Sequence, residues 1–139
     1  MTDLLDDFLS DFEALPPASV GEVQDAEAGL GRPLPTDYEA FLLKHNGGEG
    51  FIGKHYLILW KATELVKFNE GYEVETYAPG LIMFGSTGGG DGFAFDTRTS
   101  PYCVIQVPFI GMSLEDGFHV ADSFSELLQR MRDTSGPLF

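Results

Sequence analysis

The sequence predicts an α+β fold: a single domain with a mostly antiparallel sheet flanked by helices. Three observations carry that expectation. Apolar residues recur at helical spacing through the first third of the chain, behind recognisable helix starts. Short aromatic and branched runs, bounded by glycine and proline, occupy residues 56 to 109. A last amphipathic run after Ser123 returns to the helical period. Helices, then strands, then a helix is the α+β pattern. A chain of 139 residues with 43% apolar content can bury one core and is too apolar for wholesale disorder.

The elements follow in order. Leu4, Leu5, Phe8, Leu9 and Phe12 are spaced as one helix face with acids between them. They predict an N-terminal amphipathic helix within residues 1–18, ended before Pro16-Pro17. The main domain is expected over 19–133. Ser19-Val20-Gly21-Glu22 reads as a capping box, in which serine and glutamate satisfy each other's backbone N–H groups. Val20, Val23, Ala26 and Leu30 then form a buried stripe, stopped by Gly31. Thr36-Asp37-Tyr38-Glu39 has the same capping pattern and opens a helix carrying Tyr38, Phe41 and Leu42, closed at Asn46-Gly47-Gly48.

Tyr56 to Trp60 reads as a strand, and residues 63–69 as a short helix begun by Thr63. Residues 70–80 are polar, end in Pro79-Gly80, and are expected to form a loop. Leu81-Ile82-Met83-Phe84 has no polar face, so this strand should be buried on both sides. Phe93-Ala94-Phe95 and Tyr102 to Phe109 are further strands, with Cys103, Ile105, Val107 and Phe109 on one face. Residues 110–118 read as a loop. Ser123-Phe124-Ser125-Glu126 is a third capping box, starting a helix with Phe124, Leu127, Leu128 and Met131.

Charge excludes several function classes. The chain holds 22 acidic and 8 basic residues, a net charge of −14. Residues 1–39 carry −9, residues 40–69 carry +2 and residues 70–139 carry −7. Nucleic acids and anionic membranes both need a basic face, which this composition does not supply. One cysteine, Cys103, allows no internal disulfide. The acidic start lacks the positive region of a signal peptide, and the longest apolar run is Tyr56 to Trp60. These features predict a soluble cytoplasmic protein.

Motifs for chemistry fail on mechanism. Gly85-Ser86-Thr87-Gly88-Gly89-Gly90-Asp91-Gly92 has glycines at phosphate-loop spacing, but Asp91 stands where a lysine must reach the phosphates. A strand, not a helix N-terminus, follows. The run therefore reads as a tight connection between strands, with Asp91 and Asp96 fixing the turn by accepting backbone N–H groups. His45, His55 and His119 lack short-spaced partners for a metal. Ser113 lacks the glycine that would complete a nucleophile elbow, and Cys103 reads as a small apolar residue on a strand. The expectation is no enzyme and no cofactor. Tyr72 and Tyr77, set among Glu70, Glu73 and Glu75, offer large rigid contact surface in an acidic setting. With Glu115 and Asp116 of the later loop, they are the candidate partner contacts.

Leu34-Pro35-Thr36-Asp37-Tyr38-Glu39-Ala40-Phe41-Leu42-Leu43-Lys44-His45-Asn46-Gly47-Gly48 resembles the signature of the SMI1/KNR4 family, or SUKH superfamily: LP-x-x-Y-x-x-F-L, then N-G-G. Pro79 to Gly85, Gly90-Asp91-Gly92 with Asp96, and Ala121 to Leu128 around Phe124 resemble later family elements in the same order. The resemblance spans about residues 20–131. It implies an α+β fold with no shared catalytic site. It also implies a protein-binding role: bacterial members are regarded as immunity proteins that neutralise toxins, many of them nucleases. The partner then implied is a basic toxin domain. Fungal members imply the alternative, a regulatory or scaffold module without a toxin. The oligomeric state stays open.

Overall fold

Residues 10–138 are described by the computed structural model. Among these residues seven strands form one antiparallel sheet whose order follows the chain: β1 (Asp11–Ala14), β2 (Gly48–Ile52), β3 (His55–Leu59), β4 (Leu81–Ser86), β5 (Asp91–Asp96), β6 (Cys103–Pro108) and β7 (Phe118–Ala121). Helices α1 (Val20–Leu30) and α2 (Thr36–Lys44) lie between β1 and β2. Helix α3 (Ala62–Gly71) and the one-turn α4 (Val74–Tyr77) lie between β3 and β4, and α5 (Phe124–Asp133) follows β7. The fold is α+β with an antiparallel sheet, as the sequence predicts.

The core is centred on aromatic residues from α2, α5 and the middle of the sheet. Phe84 of β4 stacks on Phe95 of β5 at 4.1 Å between ring centres. Tyr38 of α2 meets Phe84, Phe95 and Phe124 at 5.1–5.4 Å in tilted or edge-on contacts. All four rings are fully buried. Tilted pairs set the positive ring edge against the negative face, adding about 0.5–1.5 kcal/mol per pair beyond area burial. The hydroxyl of Tyr38 has no hydrogen-bond partner among the described residues, and burial pushes its pKa well above the ordinary tyrosine value.

Leu81 to Phe84 are all buried, as a strand with no polar face should be. A register shift between Met83 and Gly85 leaves one extra residue in β4. Strands β3 and β4 pair only at Ile58–Ser86 and Leu59–Gly85, so the backbone of Met83 lies beyond the ladder. Asn69 of α3 completes the pairing: its Oδ1 accepts from Met83 N–H and its Nδ2 donates to Met83 C=O, both at 2.9 Å. A side-chain amide thus takes the place of a strand.

In β1–β3, residues alternate instead. Phe12, Ile52, Leu57 and Leu59 are buried, while Asp11, Glu13, Glu49, Phe51 and Tyr56 are exposed. This corrects the expectation of a helix through Phe12. Residues 11–14 are strand β1, paired with Gly48–Phe51; residues 1–9 of the expected helix lie outside the described residues. Period-2 burial with a long-range ladder outcompetes the local helical spacing there. Strands β2 and β7 form where the sequence pattern reads as turn or loop, at Gly48-Glu49-Gly50 and on the approach to His119. Residues 70–80 are not simply loop: they contain the end of α3 and all of α4.

The capping patterns divide. At Ser19–Glu22 both bonds of the box form, at 3.1 and 2.9 Å, and Gly31 ends α1 in the left-handed region. Helix α2 has Pro35 at its N-cap and no side-chain cap. Thr36 therefore caps nothing, and Asp37 instead accepts from the N–H and Oγ of Ser125 at the start of α5. At α5, Ser123 caps Glu126 N–H, but Glu126 reaches back to Asp122 N–H. Helix α3 starts from Lys61 rather than Thr63, with Glu64 accepting from Lys61 N–H.

Candidate partner-binding surface

The start of α3 is fixed by two acceptors. Asn46 Oδ1 accepts from Ala62 N–H at 2.7 Å, and Glu64 accepts from Lys61 N–H at 2.8 Å. Asn46 thus joins the turn after α2 to the first residue of α3. Glycine follows it for a geometric reason. Gly47 has φ 81°, and a Cβ there would lie 2.5 Å from the carbonyl oxygen of Leu59. At Gly48 a Cβ would collide with the carbonyl of Glu13 on β1.

At its other end α3 turns sharply into α4. Glu73 makes this corner with φ 53° and ψ 46°, a left-handed conformation that costs a non-glycine residue about 1 kcal/mol. The corner separates the predicted contacts into groups. Glu70, Glu73 and Glu75 line one cleft of about 800 Å³ together with Arg32 and the α1 end at Gly29–Gly31. Tyr72 belongs elsewhere: it stacks on Phe109 at 4.5 Å, and both rings lie near-parallel to Trp60. Phe68 meets the Trp60 ring edge-on at 4.9 Å. Trp60 is buried, while Tyr72 stays 42% exposed. Tyr77 is 54% exposed on α4.

Glu115 and Asp116 sit in the exposed connection between β6 and β7. Ser113 donates to the Asp116 carboxylate at 3.0 Å and accepts from Asp116 N–H, which closes a local turn. The Tyr72–Phe109 stack ties the start of this connection, with the fully exposed Ile110, to the α3–α4 corner. The described contacts do not bring Glu115 or Asp116 against the three glutamates.

The remaining motif residues are structural in position. Leu34 is buried and donates its N–H to Glu27 at 2.8 Å, and Tyr38, Phe41 and Leu42 form the inner face of α2. Gly85 lies inside β4, where a Cβ would collide with the carbonyl of Ile58. Gly90 ends the β4–β5 turn with φ 106°. Asp91 does not fix that turn with its carboxylate: the side chain accepts from Gln106 Nε2 on β6 at 2.8 Å, and the turn uses its backbone oxygen. Asp96 does accept a backbone N–H, from Arg98, and also binds the guanidinium at 2.9 Å. The side-chain hydrogen bond from Arg98 holds this carboxyl below the ordinary aspartate range.

Among the described residues no group of three or more His, Cys, Asp or Glu is placed to hold a metal ion. None of the described helices is long and apolar enough to cross a membrane.

The model of the SMI1/KNR4 family (SUKH-1) matches residues 17–130. The chain belongs to this family. A relative in Bacillus subtilis (strain 168), the uncharacterized protein YnaB, is 39% identical over 69 residues. That match covers 50% of this chain and 44% of YnaB, less than half of the relative's length. The SMI1/KNR4 signature in this chain is a folding element: it builds the inner face of α2 and anchors α3 through Asn46. The aromatic stack and the place of Arg32 in the acidic cleft leave no signal in the sequence, since residues 60, 72 and 109 carry no shared spacing.

Proposed function

We propose that this SMI1/KNR4 protein is a protein-binding module of the immunity type, which neutralises a toxin by occupying a basic surface on it. The observation that carries the reading is the α3–α4 corner, where Glu70, Glu73 and Glu75 outnumber Arg32 in one cleft and where Tyr72 and Tyr77, outside that cleft, stay exposed. A nuclease toxin grips phosphates with Lys and Arg, and an acidic surface is steered toward such a site. Tyrosine adds rigid contact area at low entropic cost. A net charge of −14 favours the same class of partner. The binding role needs no catalysis, and the protein acts in the cytoplasm, where a toxin must be met.

The test is rescue. Candidate toxin domains, including any encoded beside this gene, are expressed in a host alone and with this chain. Growth restored by co-expression, together with a stable complex on gel filtration, supports the reading; continued killing overturns it. Within such a complex, Glu73→Lys plus Glu75→Lys should slow association about tenfold at low salt and flatten its salt dependence. Capture of a cell-wall or signalling assembly from the native cell, with no toxin, would favour the regulatory alternative.

A further inference from the structure

A different surface carries an independent argument. Strands β1–β3 form one end of the sheet, and their register puts Asp11 opposite Phe51, Glu13 opposite Glu49, and Phe51 opposite Tyr56. Residues opposite one another in an antiparallel pair share a face. This face therefore shows three carboxylates around two aromatic rings. Phe51 and Tyr56 meet edge-on at 5.1 Å, yet remain 49% and 36% exposed. Tyr56 O–H donates to the Glu49 carboxylate, which holds the ring in place. Gly88 of the β4–β5 turn lies against that ring, where a Cβ would sit 3.2 Å away.

The face is electrostatically frustrated. Like charges directly opposite one another destabilise a sheet, and Glu13 and Glu49 are such a pair. No ion pair among the described residues joins Asp11, Glu13 or Glu49 to a basic side chain. The face also continues into a groove of about 570 Å³, lined by Glu13, Glu49, Ile58, Trp60, Glu64 and one cation, Lys61. Exposed rings ringed by carboxylates suit a cation that also has apolar surface, because a guanidinium or ammonium is drawn both to the ring face and to the acids.

We infer that the outer face of β1–β3 binds a protein segment in which Arg or Lys flanks an apolar side chain. Charge complementarity selects this occupant. A second copy of the chain would bring −14 against the same acids. The preceding residues 1–9 hold Asp3, Asp6 and Asp7 and no Lys or Arg, so they would add repulsion. Nucleic acid and anionic lipid are repelled for the same reason. The inference does not depend on the toxin reading or on the α3–α4 corner.

The test uses the full chain and two synthetic probes, the capped peptide Arg-Leu-Arg-Leu-Arg and its counterpart Glu-Leu-Glu-Leu-Glu. Amide chemical shifts are followed during titration with each. The basic peptide should give saturable shifts concentrated in residues 11–14 and 49–58, and the acidic peptide none. Glu13→Gln plus Glu49→Gln should weaken binding about tenfold while leaving the melting temperature equal or higher, because a like-charge pair is removed. Phe51→Ser should weaken binding similarly, whereas Glu73→Lys plus Glu75→Lys should leave it unchanged. Absence of saturable binding, shifts spread over every acidic segment, or undiminished binding in the double variant would each overturn the inference. Failure of toxin rescue with peptide binding intact would refute the toxin reading alone.

Discussion

The β4–β5 pair and the β1–β3 end of the same sheet are built to opposite rules. In β4 and β5 nearly every side chain is buried, and the rings of Phe84 and Phe95 stack inside the core. In β1–β3 every second residue faces out, and the outward set is acidic and aromatic. Helices cover the centre on the side of Tyr38 and Phe124, while Asp11, Glu13, Glu49, Phe51 and Tyr56 on the outer face of β1–β3 stay exposed, with α3 reaching only the groove beside them through Glu64 and Phe68. The centre has no side chain to spare for a partner. The end strands spend only half their residues on stability, which leaves the other half for recognition.

The contrast can be broken first at the core. Phe84→Ala should cost about 3–5 kcal/mol, from lost burial and the cavity left behind. Phe51→Ala, on the exposed face, should stay within about 0.5 kcal/mol of the parent. Equal costs in urea denaturation would erase the distinction between the two regions.

A second effect sits at the boundary between them. Asn69→Ala should cost about 2–4 kcal/mol, because the N–H and C=O of Met83 lose their partners in a half-buried setting. Hydrogen exchange at the Met83 amide should rise together with that loss. An unchanged protection factor would mean that the side-chain amide does not stand in for a strand.

Two smaller effects sharpen the picture. The folded carboxyl of Asp96 titrates below its unfolded value, chiefly through its hydrogen bond from Arg98. Its stabilising contribution is therefore complete above the unfolded value of about 4 and is lost as pH falls through the folded one. Arg98 is half exposed, so the loss should be about 1 kcal/mol or less. Asp96→Asn should flatten the acid limb of urea midpoints measured from about pH 5 to about pH 2. Tyr38→Phe removes a buried hydroxyl without a described partner. It should leave stability unchanged or raise it by up to about 1 kcal/mol. A marked fall in melting temperature would show that the hydroxyl is satisfied after all.

Much of the fold was legible because its signals are local. The Ser19–Glu22 box, the Gly31 stop and the inner face of α2 each rest on residues within one or two turns. The apolar run of β4 could only be a strand buried on both sides. The second capping pattern misled because Asp37 has a partner 88 residues away, in Ser125. The site was less legible. Glutamates at 70, 73 and 75 were visible as an acidic cluster, but their shared cleft with Arg32, the Tyr72–Phe109 stack and the opposition of Glu13 to Glu49 all join distant segments.

The sequence by itself determined the α+β class, the starts of α1 and α5 and the Gly31 stop, the doubly buried centre of the sheet, and a net charge of −14. These follow from periodicity, capping chemistry and charge count, which need no knowledge of what folds against what. Only the tertiary structure decided that residues 11–14 are a strand, that Asn69 completes β4, and that three carboxylates surround two rings on one face. Each of those depends on register and packing between segments far apart in the chain, where the free energy of long-range pairing outweighs the local preference of the residues involved.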